Sequence, residues 1–134
     1  MRVKTFYIHR QAMGKPRSNR FTRNAAIEKY HIFADQVRAE MKIQGVKLCE
    51  LEDVIQIDWY AKIQMPKSWS KKKKLEMDGQ LHRQKPDRDN IDKAIMDSMF
   101  YKAESDDCII ACGYIEKKWT MGDPTIEVVL HLDD

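Results

Sequence analysis

The sequence predicts an α+β fold, a mixed β-sheet carrying two packed helices in the order β-α-β-loop-α-β-β. Three observations lead there. Residues 54–63, "VIQIDWYAKI", alternate apolar and polar side chains with a period of two. Two stretches, 24–41 and 89–100, instead repeat apolar residues at three- and four-residue steps, the period of a helix with one buried face. Two further strand-like runs close the chain. A length of 134 residues at 43% hydrophobic content suits one domain over 1–134, with a core that needs no disulfide or structural metal.

"VKTFYIH" (3–9) is β-branched and aromatic and reads as a first strand. It runs into a loop marked by Gly14, Pro16, Ser18 and Asn19. That loop carries Lys15 with Arg10, Arg17, Arg20 and Arg23, cations able to grip phosphates. The first helix follows, with Ile27, Tyr30, Ala34, Val37 and Met41 on its apolar stripe, His31 beside it on the surface, and Gly45 beyond its end. In the strand at 54–63, Ile55, Ile57, Trp59, Ala61 and Ile63 are expected to face the core.

Residues 64–86 show no strand period and contain Pro66, Gly79 and Pro86. Here Lys71, Lys72, Lys73 and Lys74 form a basic loop next to Trp69, a candidate for stacking on a base. The second helix runs from about residue 89 to 100, burying Ile91, Ala94, Ile95, Ser98 and Met99. Finally 108–119 and 125–134 read as a hairpin closed around "TMGDP", with Ile126, Val128, Leu130 and Leu132 inward and His131 outward, without a catalytic part.

Composition narrows the function classes. No stretch reaches the roughly 20 apolar residues of a membrane span, and "MRVKTFYIHR" lacks the apolar centre of a signal peptide. The expected location is the cytoplasm, with Cys49, Cys108 and Cys112 reduced and structural rather than zinc ligands. The net charge of +3 hides an asymmetry. Residues 1–27 hold seven Lys/Arg and no acid, while 104–134 hold eight Asp/Glu against two Lys. One face toward phosphates and another toward water would produce that distribution.

The densest charge lies in "KPDRDNIDK" (85–93). On a helix advancing about 100° per residue, Asp89, Lys93 and Asp97 form a polar stripe opposite the apolar set. Two structural explanations compete with a catalytic one. Asp89 or Asn90 could cap the helix, and Asp89–Lys93–Asp97 could be an exposed ion-pair ladder. Neither accounts for Asp87, nor for the acidic pair Asp106-Asp107 at the next strand. Several carboxylates converging on one point require a cation, and all-oxygen ligands suit Mg²⁺ or Mn²⁺. Such ions beside a cationic groove are equipment for phosphodiester hydrolysis.

"KPDRDNIDKAIMDSMF", followed after a short gap by "SDDCII", resembles the signature of the RusA family of Holliday junction resolvases. "GKPRSNRFTR" and "MPKSWSKKKKLEMDGQLH" are similar to the versions carried by phages and prophages, and the similarity extends over about 14–124. The resemblance implies a RusA-like fold and a homodimer that binds four-way DNA junctions. With Mg²⁺ it would nick two opposing strands symmetrically, in recombination and repair. It places the family's metal-binding aspartates on Asp87, Asp89 and Asp107, its essential lysine on Lys93, and its DNA-contacting segment on Arg17, Ser18, Asn19 and Arg20.

Lys15, Lys85, Arg88, Asn90 and the lysine run complete the expected DNA-binding set, and Asp97 and Asp106 are expected to orient the ligands. Two positions depart from the family pattern. Arg88 stands where an aliphatic residue is common, to contact DNA or pair with Asp92, and Asp92 adds an acid to the same turn. A structure-specific nuclease acting on flaps or forks, or a non-catalytic DNA-binding module, are the alternatives. Dependence on a divalent ion separates the enzymes from the module.

Overall fold

The computed structural model describes residues 1–17 and 25–134, so Ser18, Asn19, Arg20 and Arg23 of the expected cationic loop lie outside the described residues. Four strands form one mixed sheet: β1 (Arg2–Ile8), β2 (Val54–Gln64), β3 (Ile115–Thr120) and β4 (Thr125–Leu132). Their spatial order is β1-β4-β2-β3, antiparallel except for the β2–β3 pair. Helices α1 (Ala25–Ile43) and α3 (Arg88–Met99) pack on each other and share one core with the sheet. A third, short helix α2 (Lys71–Met77) lies between β2 and α3 in the chain. The α+β class read from the sequence is the class observed.

The core follows from the two periodicities. Phe6 and Ile8 of β1 sit opposite Val128 and Ile126 of β4, which in turn oppose Trp59 and Ala61 of β2. All six are buried, because residues directly across a ladder share a face. Phe33, Val37 and Met41 of α1 and Ile91, Ile95 and Met99 of α3 close over them. Full burial of each such side chain contributes on the order of 1.5–3 kcal/mol.

Three sequence expectations need correction. The closing pair is not a hairpin, because β2 lies between β3 and β4, parallel to one and antiparallel to the other. The cause is apolar content. β2 and β4 carry the most complete buried alternation and take the central places, whereas β3 buries only Trp119 and forms an edge bearing Lys117 and Lys118. Secondly, a bulge between Val54 and Gln56 turns Val54 inward and leaves Ile55 half-buried. Thirdly, the lysine run is helical, with Ser70 accepting a hydrogen bond from the Lys73 N–H at 3.1 Å as N-cap.

Before β3 the chain makes a 3₁₀ turn, Asp107–Ile109, and then runs extended beside β2. Ala111 N–H donates to Ile55, and Ile57 and Trp59 donate to Cys112 and Tyr114. Gly113 is required in this segment, since a Cβ there would stand 1.8 Å from the Ile57 carbonyl oxygen. Cys49, Cys108 and Cys112 are unbridged and exposed. No helix among the described residues is long and apolar enough to cross a membrane.

The face of the sheet turned away from α1 and α3 has its own buried polar group. Asp58, 7% exposed, accepts from the Tyr114 backbone N–H at 2.8 Å and from Gln56 at 3.0 Å. His131 Nε2 stands 2.8 Å from its other oxygen. Burial pushes this carboxyl up, but the Tyr114 N–H, Gln56 and His131 outweigh it and hold it below the ordinary aspartate value. His131 therefore has a structural partner that the alternation pattern did not reveal.

Candidate active site

Helix α3 is the axis of the site. Its N-cap is Asp87, whose backbone carbonyl accepts from Asn90 and Ile91, while its side chain makes no capping bond. The exposed carboxylate is therefore left over for other use. Asp89, in the first turn, accepts from the Asn90 N–H at 3.0 Å. Lys93 follows one turn later, exposed and, among the described residues, without an ion pair. The competing ladder reading Asp89–Lys93–Asp97 is not seen among the described residues, where Asp97 pairs with Lys15 instead.

That pairing brings the cationic loop onto the helix. The Lys15 backbone N–H donates to the Asn90 carbonyl at 3.2 Å, and its ammonium bonds Asp97 Oδ2. Gly14 allows the approach, because a Cβ there would meet the Asn90 side chain at 2.4 Å. Lys15 thus turns inward along α3, while Arg17 beyond it is exposed.

Asp107 reaches the same region from the 3₁₀ turn. Its carboxyl is raised above the usual range, first by sharing a hydrogen bond with Asp106, then by burial, then by the charges of Asp106, Asp97 and Asp92. Asp106 is correspondingly lowered, and its side chain also accepts from the Cys108 N–H. A cleft of about 440 Å³ opens beside the pair, lined by Lys15, Asp97, Asp106 and Asp107 with Phe100 and Tyr101.

Asp92 belongs to this surface, though the sequence marked it only as a departure from a pattern. The buried Trp59 indole donates to it at 2.8 Å, so the acid is held by the core itself and not by Arg88. Lys117 was missed altogether. Its ammonium donates to the carbonyls of Gln84 at 2.7 Å and Pro86 at 2.8 Å, gathering the segment that delivers Asp87. Burial lowers its pKa, against the attraction of Asp87. Nothing in an alternating strand distinguishes such a lysine from a solvated one.

The expected residues therefore fall into three places. Asp87, Asp89, Asn90 and Lys93 stand on the first turns of α3, next to exposed Lys85 and Arg88. Asp97, Asp106 and Asp107 gather with Lys15 further along the helix. Lys71, Lys72, Lys73 and Lys74 lie on α2, where Lys73 sits 4.2 Å over the Trp69 ring. Trp69 also packs on Trp119 with ring centres 4.7 Å apart, so its faces are engaged within the protein.

In kind, the donors fit a hard divalent ion, being all carboxylate oxygen. Among the described residues no three acidic, histidine or cysteine side chains stand close enough to form a ready cage. A profile described as endodeoxyribonuclease RusA matches residues 8–131 of the chain. No curated protein matches it.

Proposed function

Since the chain belongs to the RusA family of endodeoxyribonucleases, we propose that it resolves four-way DNA junctions as a divalent-ion-dependent homodimer, nicking two opposing strands symmetrically in the cytoplasm. The observation that carries this reading is the meeting of two separated segments with the helix that holds Asp87, Asp89 and Lys93. The Lys15 loop and the Asp107 turn both come to Asp97, further along the helix whose first turns carry Asp87, Asp89 and Lys93. Asp87 and Asp89 keep exposed carboxylates at the start of that helix, where a cation and a phosphate can come to them.

Asp87, Asp89 and Asp107 would hold Mg²⁺ or Mn²⁺, which supplies an activated water and neutralises charge on the phosphate. Lys93, free of ion pairs among the described residues, is placed to stabilise the extra negative charge of the transition state. Asp97 and Asp106 orient their neighbours through Lys15 and Asp107. Arg17, Lys85, Arg88 and the α2 lysines supply sequence-independent attraction to the backbone. Two copies related by a two-fold axis match the symmetry of a junction and its paired cuts.

The test is cleavage of synthetic four-way junctions against matched duplexes and flaps, with Mg²⁺ or with chelator. Paired nicks in the junction that require Mg²⁺ are expected. Preferential cutting of flaps would reassign the substrate, and binding without cleavage under any ion would make the chain a DNA-binding module.

A further inference from the structure

The cleft beside Asp107 already contains a cation, and it comes from the chain itself. The Lys15 ammonium bonds Asp97 and lies near enough to Asp107 to feel its charge, with the Tyr30 ring 5.5 Å away. We propose that Lys15 is a counter-cation for the ion-free site, competing with the divalent ion for the carboxylates at this end of α3. The inference rests on the reading that Asp107 is an ion ligand.

Three features support it. The acids around Lys15 come from two separate segments, Asp97 on α3 and Asp106-Asp107 on the turn, and would repel one another without a charge between them. Lys15 keeps 33% of its side-chain surface, so it can withdraw without opening the core. Its backbone is anchored by one bond to Asn90, and the next residues are Pro16 and the exposed Arg17. A divalent ion arriving at Asp107 would place like charge beside the ammonium and expel it. Pulling the same loop toward a phosphate backbone would vacate the cleft from the other side. Substrate binding and ion binding would then favour each other, because both need Lys15 gone.

The experiment is calorimetric titration of the DNA-free protein with Mn²⁺. Lys15→Met removes the charge while keeping the apolar stem beside Tyr30, and should bind Mn²⁺ about tenfold more tightly than the unsubstituted chain. Lys15→Arg keeps the charge and should stay near the original affinity. In the unsubstituted protein, saturating Mn²⁺ should raise acetylation of Lys15, read by mass spectrometry, severalfold. Equal or weaker Mn²⁺ binding by Lys15→Met would overturn the proposal, as would acetylation indifferent to the ion. If the original protein bound Mn²⁺ and cut junctions while Lys15→Met gained nothing, only this inference would fail. If neither protein bound the ion, the ion-dependent function would fall with it.

Discussion

Lys93 and Lys117 are single cations near the start of α3, and their surroundings assign them different work. Lys93 has no ion pair among the described residues and faces solvent, whereas Lys117 points inward from β3 and spends its ammonium on two backbone carbonyls. Removing Lys117 therefore loosens the segment before Asp87 without touching the exposed charge of Lys93. Lys117→Met should lower junction cleavage by about tenfold, as loss of an orienting partner does, with junction binding by gel shift changed less than twofold. Unchanged cleavage would show that the Gln84–Pro86 segment holds itself.

Glu50 makes a different case, one of stability alone. It accepts from Lys4, from the Lys47 backbone and from Arg2, and its pKa falls from 4.5 to about 2. A depressed carboxyl stabilises the fold fully above its ordinary value and loses that contribution as pH falls through the folded value. Glu50→Gln should therefore be less stable at pH 7 by about 1 kcal/mol, allowing for screening of exposed pairs. The gap should narrow below pH 4.5 and close as pH falls through about 2, measured by urea denaturation.

At the scale of elements, α2 tests whether helical order matters to a basic segment. Ser70 caps it and Lys73 lies over Trp69, so the lysines project from a fixed helix and not from a loop. Replacing Lys71, Lys72, Lys73 and Lys74 with Gln should weaken junction binding. It should also flatten the salt dependence by about 0.9 in log–log slope for each phosphate no longer neutralised by a lysine. Residual Mg²⁺-dependent cleavage at high enzyme concentration should persist. An unaltered slope would make α2 ordinary surface.

These elements also mark what local pattern can and cannot disclose. α1, α3, β2 and β4 were legible because each buries a stripe with a clean period. The insertion of β2 between β3 and β4 was not, since adjacency in the chain suggests a hairpin and only the competition for central places decides otherwise. The Ile55 misassignment has one cause, a bulge that advances the pleat by a residue. Asp87, Asp89 and Lys93 could be placed on α3 from spacing. The Trp59–Asp92 bond, the Lys117 tether and the Lys15–Asp97 pair join residues 33, 31–33 and 82 positions apart, which no local period encodes.

Across the whole molecule, the charge asymmetry is partly cancelled by folding. Because β1 lies beside β4, Arg2 meets Asp134 at 2.7 Å, and it also meets Glu50 at 3.1 Å. Lys15 is likewise taken up by Asp97. Among the described residues, those left without an ion pair around α3 are Arg17, Lys85, Arg88 and Lys93 of the cations, and Asp87 and Asp89 of the acids. That remainder is what the proposed function uses, carboxylates for a divalent ion beside cations for a phosphate backbone.

The most direct measurement is cleavage of a four-way junction across a Mg²⁺ titration by the original chain and by Asp107→Asn. Symmetric paired nicks should appear only with Mg²⁺. Asp107→Asn should bind the junction at least as well but fall in rate by roughly a hundredfold or more, at every ion concentration. Nicks formed in chelator, or full activity without the Asp107 carboxylate, would overturn the proposed ion site.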